Sequence, residues 1–178
     1  HSDRLKLMGT PMILEGGACD VGIESTILDL SRGEAVILRP GMIGIDAIAA
    51  VIGRRPRLKG QSENVPRVSG ALSAHYAPRT PMQMASREDI ANAPADCAVL
   101  VRACEYPPAR FAMSIDAPFD ADGYARDLYA NLRALDASGA REILVEQLPD
   151  EPDWTAVYDR LGRAVVGSGA ENARDALR

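Results

Sequence analysis

Short apolar runs alternate with amphipathic stretches over residues 82–178, and no other feature of the sequence limits the fold so strongly. Residues 97–101 and 143–145 are runs of small and β-branched apolar residues, typical of buried strands. Between these runs, Gly139 follows a segment whose single helical face carries Ala125, Leu128, Tyr129, Leu132 and Leu135. The alternation predicts a layered α/β fold for this part of the chain.

Three polar residues are expected to start helices in the same region. Ser86 precedes a weak helix start. Asp153 is expected to cap a helix whose inner face carries Val157, Tyr158, Leu161 and Val165. The spacing of Ser168 and Glu171 is that of a capping box and predicts a short last helix.

Residues 12–54 have the pattern of a second compact unit. An apolar run at 12–14 ends at a pair of glycines, and two strands are expected at 25–30 and 35–38 with a hairpin turn over 31–34. Residues 45–52 then predict a short helix that Gly53 ends.

The segment 54–81 interleaves basic residues with proline and glycine and shows no periodicity, which predicts an extended linker. The expected organisation is therefore a unit over residues 1–54, whose first residues are possible vector remnants, a linker over 55–81 and a further domain over 82–178.

Composition narrows the function classes. The net charge of −5 argues against a general grip on nucleic acid, although a local basic pocket for phosphate remains compatible with it. Three scattered cysteines are too few for a disulfide framework or a zinc cluster and predict buried or partly buried thiols in a reducing cytoplasm. No apolar run is long enough to cross a bilayer, and no export signal is recognisable.

Two short segments carry residue types suited to anionic ligands. Ser25 and Thr26 place hydroxyls at the mouth of a strand, where they could receive a carboxylate or a phosphate, or could simply be ordinary strand residues. Arg39 ends a strand before a rigid Pro-Gly turn, which would aim its guanidinium at an anion or at a surface ion pair.

Two further segments leave both a binding and a structural interpretation open. His75 and Tyr76 lie in the extended segment, where they could close over a ligand or anchor the linker to a neighbouring core. Glu15, Gly16 and Gly17 could bring backbone amides near a phosphate, but they form neither a Walker loop nor a dinucleotide-binding fingerprint.

In their order along the chain, these segments resemble one known family. EGGACDVGIESTILDL, AVILRPGMI and SGALSAHYAPRTP are similar to the long, two-domain, YrdC-like form of threonylcarbamoyl-AMP synthase. DLYANLRALDASGAREILVEQLP and YDRLGRA resemble the C-terminal domain of the same family. The resemblance implies the C-terminal portion of a YrdC-like α/β domain, a linker and a small, Rossmann-like parallel α/β domain.

The resemblance also implies a cytoplasmic nucleotidyltransferase. Such an enzyme joins L-threonine, bicarbonate and ATP, with Mg²⁺ accompanying the ATP, into threonylcarbamoyl-AMP and pyrophosphate. The product passes to the tRNA threonylcarbamoyl transferase machinery for N6-threonylcarbamoyladenosine synthesis, without direct nucleic-acid or membrane binding by this chain. By position, Ser25 would bind L-threonine, Arg39 would contact ATP, and Tyr76 would reach ATP from the linker with His75 beside it.

One departure from the family pattern sets a further expectation. The family's N-terminal half carries a basic Lys-x-Arg motif that contacts the substrates, and this sequence has no such motif. The chain is therefore expected to be the C-terminal part of such an enzyme, with little or no synthase activity by itself. Two other readings stay open: a non-catalytic interaction or regulatory α/β module, and an RNA-binding translation factor.

Overall fold

The computed structural model describes residues 16–17, 19–60, 77–102 and 110–168, which form two sheets flanked by helices. The strands are β1 (Ile27–Asp29), β2 (Val36–Arg39), β3 (Arg57–Leu58), β4 (Met82–Ala85), β5 (Cys97–Arg102), β6 (Met113–Ala117) and β7 (Glu142–Glu146). The helices are α1 (Ile45–Ile52), α2 (Arg87–Asn92), α3 (Ala121–Asp136) and α4 (Thr155–Gly167), with a 3-10 turn at Pro152–Trp154 before α4.

The first sheet has the order β1-β2-β3 and confirms the predicted hairpin and helix. β1 and β2 pair antiparallel, with Ile27 opposite Arg39. Gly53 adopts a left-handed backbone with a φ of 71° and donates its N–H to Ala49 at 2.9 Å, which ends α1. β3 then pairs parallel to β2, so the segment expected to be extended begins as a strand of this sheet.

The second sheet is wholly parallel, with the order β4-β7-β5-β6, and confirms the predicted α/β fold. The alternating side chains of its central strands serve two cores. One face packs against α3 and α4 and includes the buried residues Ala98, Leu100, Ile143, Val145, Leu128, Leu132, Val157 and Leu161. The opposite face packs against α2 and includes Val99, Val101, Leu144, Ile90 and Phe111.

The structure confirms one predicted helix start and corrects another. The side-chain oxygen of Ser86 accepts from the backbone N–H of Asp89 at 3.1 Å, and the two residues form a capping box. The expectation for Asp153 was wrong, because this residue lies in the 3-10 turn and α4 begins after Trp154 with no side-chain cap.

The inner face of α4 and the end of α3 also differ from the predictions. Tyr158 is exposed and donates its hydroxyl to the carbonyl oxygen of Leu148, while the buried face carries Arg160. The last helical residue of α3 is Asp136, and Gly139 lies three residues beyond it with a φ of 75°.

Several remaining expectations are met only in part or lie outside the described residues. Cys97 is buried as expected, but Cys19 is exposed. The apolar run at 12–14, Cys104 and the helix expected after Ser168 lie outside the described residues. The described residues hold no helix long and apolar enough to span a membrane.

Candidate functional site

Ser25 and Arg39 lie side by side in the structure. The pairing of Ile27 with Arg39 places the segment before β1 next to the end of β2. The Arg39 guanidinium donates through Nε to the carbonyl oxygen of Ser25 at 3.0 Å and through a terminal nitrogen to its hydroxyl oxygen at 3.4 Å. Arg39 is buried whereas Ser25 is exposed, so a fixed cation lies beside a hydroxyl that a ligand can reach.

A glycine keeps the turn after Arg39 close to this hydroxyl segment. A Cβ built on Gly41 would lie 2.3 Å from the backbone nitrogen of Thr26 and 2.8 Å from its hydroxyl oxygen. The Thr26 hydroxyl itself donates to the carbonyl oxygen of Ile43 at 2.9 Å. Residues 24–26 and 39–41 are therefore two motif segments that touch backbone to backbone, and only glycine at position 41 permits this contact.

Glu24, the residue before Ser25, connects this site to α3 and α4. Its carboxylate accepts from Arg160 Nε at 2.6 Å and from the Tyr129 hydroxyl at 3.1 Å. A terminal nitrogen of Arg160 also donates to the carbonyl oxygens of Glu24 at 3.3 Å and of Pro40 at 3.0 Å. A side chain of α4 thereby reaches both motif segments.

The Glu24–Arg160 pair is ionised at neutral pH. Burial alone would raise the pKa of Glu24, but hydrogen bonding and charge from Arg160, with the Tyr129 hydrogen bond, outweigh it and hold that pKa below its ordinary value. Burial likewise favours a lower pKa for Arg160, and the Glu24 carboxylate reverses this and raises it. For both groups, hydrogen bonds and neighbouring charges together outweigh the effect of burial on the pKa.

A close backbone contact lies beside this ion pair. Gly22 has a φ of 74°, and a Cβ built on it would lie 2.3 Å from the Cα of Arg126 on α3. The segment before Ser25 thus rests directly on the backbone of α3.

The structure brings together only some of the residues that the sequence singled out. Ser25 and Arg39 meet as described above, whereas Tyr76, His75 and Glu15 lie outside the described residues. Sequence reasoning missed Glu24, Arg160 and Tyr129 as parts of the site. An arginine three residues after Val157 and four before Ala164 interrupts the apolar face of α4, and that was the available signal.

A cavity of about 650 Å³ lies between the first sheet and α4, beside the turn after Arg39. Its lining residues include Leu38, Pro40, Lys59, Asp159 and Arg163.

Within the ranges that the structure describes, no group of three or more His, Cys, Asp or Glu residues could hold a metal ion.

Residues 43–165 match the family model described as the C-terminal domain of threonylcarbamoyl-AMP synthase, which is more than half of the chain. The chain belongs to the threonylcarbamoyl-AMP synthase family. The recognition made from the sequence motifs is thereby confirmed.

Individual members of the threonylcarbamoyl-AMP synthase family agree with this assignment. The chain is 28% identical over 185 residues to threonylcarbamoyl-AMP synthase of Schizosaccharomyces pombe, covering 86% of the chain and 45% of the relative. It is 31% identical over 169 residues to the Bacillus subtilis enzyme, covering 87% of the chain and 49% of that relative. The crystal structure of P. abyssi Sua5 complexed with L-threonine matches with a TM-score of 0.73 at 26% identity, covering 86% of this chain and 48% of that one. The chain thus spans about half the length of the relatives it matches.

Proposed function

We propose that the protein is an L-threonylcarbamoyl-adenylate synthase that acts in the cytoplasm. It would join L-threonine, bicarbonate and ATP into threonylcarbamoyl-AMP with release of pyrophosphate, a nucleotidyl transfer. The product would serve the tRNA threonylcarbamoyl transferase machinery. The observation that carries the proposal is the exposed Ser25 hydroxyl beside the buried Arg39 guanidinium, in a chain that matches a Sua5 structure holding L-threonine.

The orientation of the Ser25 hydroxyl favours a ligand with an anionic acceptor. Because the oxygen of Ser25 accepts from Arg39, its own hydrogen remains to donate outward. The carboxylate of L-threonine is an acceptor of this kind, and the nearby guanidinium charge strengthens the attraction. Ser25 is therefore assigned in this proposal to L-threonine.

Arg39 and Tyr76 are assigned in this proposal to ATP. The residue assigned to ATP, Arg39, is thus hydrogen-bonded to the residue assigned to L-threonine, Ser25. Mg²⁺ enters as the ion that accompanies ATP, as part of the substrate. No covalent nucleophile is required, because holding three reactants together and stabilising the charge of adenylation account for the catalysis.

The same proposal includes low activity for the 178 residues by themselves. The Lys-x-Arg motif with which the family contacts its substrates is missing from this sequence. Ser25, Arg39 and Tyr76 would therefore contribute part of a site whose remaining contacts come from outside these 178 residues.

The proposal is tested by measuring threonine- and bicarbonate-dependent pyrophosphate release from ATP. The measurement uses this chain together with any residues that its gene encodes ahead of His1. Ser25→Ala should lower kcat/KM for threonine about 10- to 100-fold, since a hydrogen bond to a charged group contributes about 1.5–3 kcal/mol.

Ser31→Ala is the matched control. The Ser31 hydroxyl lies in the turn of the same hairpin and donates to Asp29 at 2.6 Å, away from Arg39. Its removal should leave pyrophosphate release unchanged. Release that does not depend on threonine, or equal loss in both variants, would overturn the proposal. No release at all would favour a non-catalytic module.

A further inference from the structure

We propose that Arg160 is a positioning residue for the Ser25 site, acting from the C-terminal domain on both motif segments. This inference rests on the proposed function, because it concerns how the threonine site is held in place. It assigns to α4 a part in substrate binding that goes beyond packing the second sheet.

The Arg160 guanidinium lies where placing a cation is costly. The Arg160 side chain is 3% exposed and shares the buried face of α4 with Val157 and Leu161. A guanidinium withdrawn from water is tolerated only when its N–H groups are bonded and its charge is balanced. Asp159 on the same helix supplies one partner, and every other hydrogen bond described above goes to residues 24 and 40.

The carbonyl oxygens that accept from Arg160 belong to both motif segments. The carbonyl of Glu24 belongs to the peptide bond that leads into Ser25, and the carbonyl of Pro40 belongs to the residue directly after Arg39. One terminal nitrogen of Arg160 donates to both carbonyls, at 3.3 and 3.0 Å. A single atom therefore bridges the segment of the proposed threonine-binding residue, Ser25, and the segment of the proposed ATP-binding residue, Arg39, in addition to the direct contacts between them.

The carboxylate of Glu24 is held from two sides. Arg160 Nε and the Tyr129 hydroxyl both donate to the same oxygen, at 2.6 and 3.1 Å. These donors lie on different helices, α4 and α3, so Glu24 cannot turn without losing one of them. The backbone beside Ser25 thereby takes its orientation from two helices of the C-terminal domain.

The arrangement requires an arginine and not merely a positive charge. Its planar fork directs separate N–H groups at a carboxylate and at carbonyls, whereas a lysine ammonium is a single point donor on a flexible stem. Binding sites lose function when supporting side chains let a contact residue move by about 0.5–1 Å. Arg160→Lys keeps the charge and should still release Ser25 from its fixed position.

The test is a calorimetric titration of L-threonine in the presence of ATP and Mg²⁺. It uses the chain with any residues that its gene encodes ahead of His1. Arg160→Lys should raise the Kd for L-threonine about tenfold, and Tyr129→Phe should raise it about two- to threefold because only one of the two donors to Glu24 is lost. The melting temperature of each variant is measured in parallel.

Arg163→Met is the matched control for Arg160→Lys. Arg163 lies three residues along α4 and bonds Asp159 at 3.0 and 2.8 Å, on the same helix. Its replacement should leave the threonine Kd within twofold of the parent value. If the parent binds L-threonine and Arg160→Lys binds it equally well, the positioning role is excluded while the proposed function stands. If the parent does not bind L-threonine, the proposed function itself fails.

Amide hydrogen exchange in the 178-residue chain gives a second readout that needs no substrate. Arg160→Lys and Tyr129→Phe should speed exchange at residues 24–26 and leave the strands β5 and β7 protected. Uniform loss of protection would mean that Arg160 only stabilises the fold. Unchanged protection at 24–26 would also overturn the inference.

Discussion

At the scale of single residues, Gly41 tests whether the contact between the two motif segments matters. Gly41→Ala would place a Cβ 2.3 Å from the Thr26 nitrogen, and backbone atoms there cannot swing aside as a side chain can. We expect a loss of about 1–3 kcal/mol in the free energy of unfolding, the range for forced overpacking. Denaturant titration of the purified variant measures it.

Gly44→Ser is the control for that substitution. Gly44 is the N-cap of α1, has an extended backbone, and has no heavy atom within 4 Å of a Cβ built on it. Serine is at least as good an N-cap as glycine, so stability should stay equal or rise by a few tenths of a kcal/mol. Equal losses in both variants would mean that crowding at Thr26 is not the cause.

The ionised state of Glu24 predicts a pH dependence at the same scale. Its pKa is lowered in the folded protein, so its contribution is present above the ordinary value of 4.5 and is lost as the pH falls below that value toward the folded pKa. Glu24→Gln should be less stable than the parent at pH 7, with the difference shrinking below about pH 4.5. A difference that stays constant from pH 7 to pH 3 would contradict the assignment.

At the scale of elements, the contact of the segment before Ser25 with α3 depends on Gly22. Gly22→Ala combines a left-handed backbone with a Cβ 2.3 Å from the Arg126 Cα. Gly33 has a similar φ of 80° but nothing within 4 Å, so Gly33→Ala carries the backbone cost of about 1–2 kcal/mol alone. Denaturant titration should show that Gly22→Ala lowers the free energy of unfolding by about 1–3 kcal/mol more than Gly33→Ala does. Equal losses would show that α3 yields to the new side chain.

Elements with strong local signals were predictable from the sequence. The hairpin around Gly33 and the end of α1 at Gly53 follow from residues close in the chain, and the weaker signal at Ser86 also marked a helix start. β4 and β6 were missed because Met82–Ala85 includes Gln83, and Met113–Ala117 includes Ser114 and Asp116, so neither has a continuous apolar run. Their strand structure comes from parallel neighbours that are distant in sequence.

Only the residues that the first sheet contributes to the candidate site were predictable from the sequence. Ser25 and Arg39 stood out because a hydroxyl before a strand and an arginine at a strand end are local patterns. The contacts of Arg160 with residues 24 and 40 span 136 and 120 positions, and local patterns carry no such distance information. Asp153 was expected to act as a cap because its type fits, but the 3-10 turn moves the start of α4 beyond it.

At the scale of the whole molecule, the two sheets are joined where the candidate site lies. The Glu24–Arg160 pair, the Tyr129 hydrogen bond and the Gly22 contact with α3 all connect residues 22–40 to the C-terminal domain. Removing one partner of a buried ion pair costs about 3–5 kcal/mol, because the other charge stays buried without its partner. Because Glu24 is partly exposed, Arg160→Met should lower the free energy of unfolding by a smaller amount, about 2–4 kcal/mol, as measured by denaturant titration.

Loss of Arg160 should also separate the unfolding of the two sheets. Fluorescence of Trp154 follows the second sheet and its helices, and amide exchange at β1 and β2 follows the first sheet. In the parent the two probes should report one transition, and in Arg160→Met the first sheet should lose protection earlier. If the two probes still report one transition in Arg160→Met, the idea that Arg160 couples the two sheets would be contradicted.

The central claim is that Ser25 presents a hydroxyl to L-threonine, and direct calorimetry with this amino acid tests it most closely. The titration compares Ser25→Ala with the parent and with Ser31→Ala, each with ATP and Mg²⁺ present and with any residues encoded ahead of His1 included. We expect binding in the parent and in Ser31→Ala, and a Kd about 10- to 100-fold higher in Ser25→Ala. Equal binding of L-threonine by all three proteins would contradict the account.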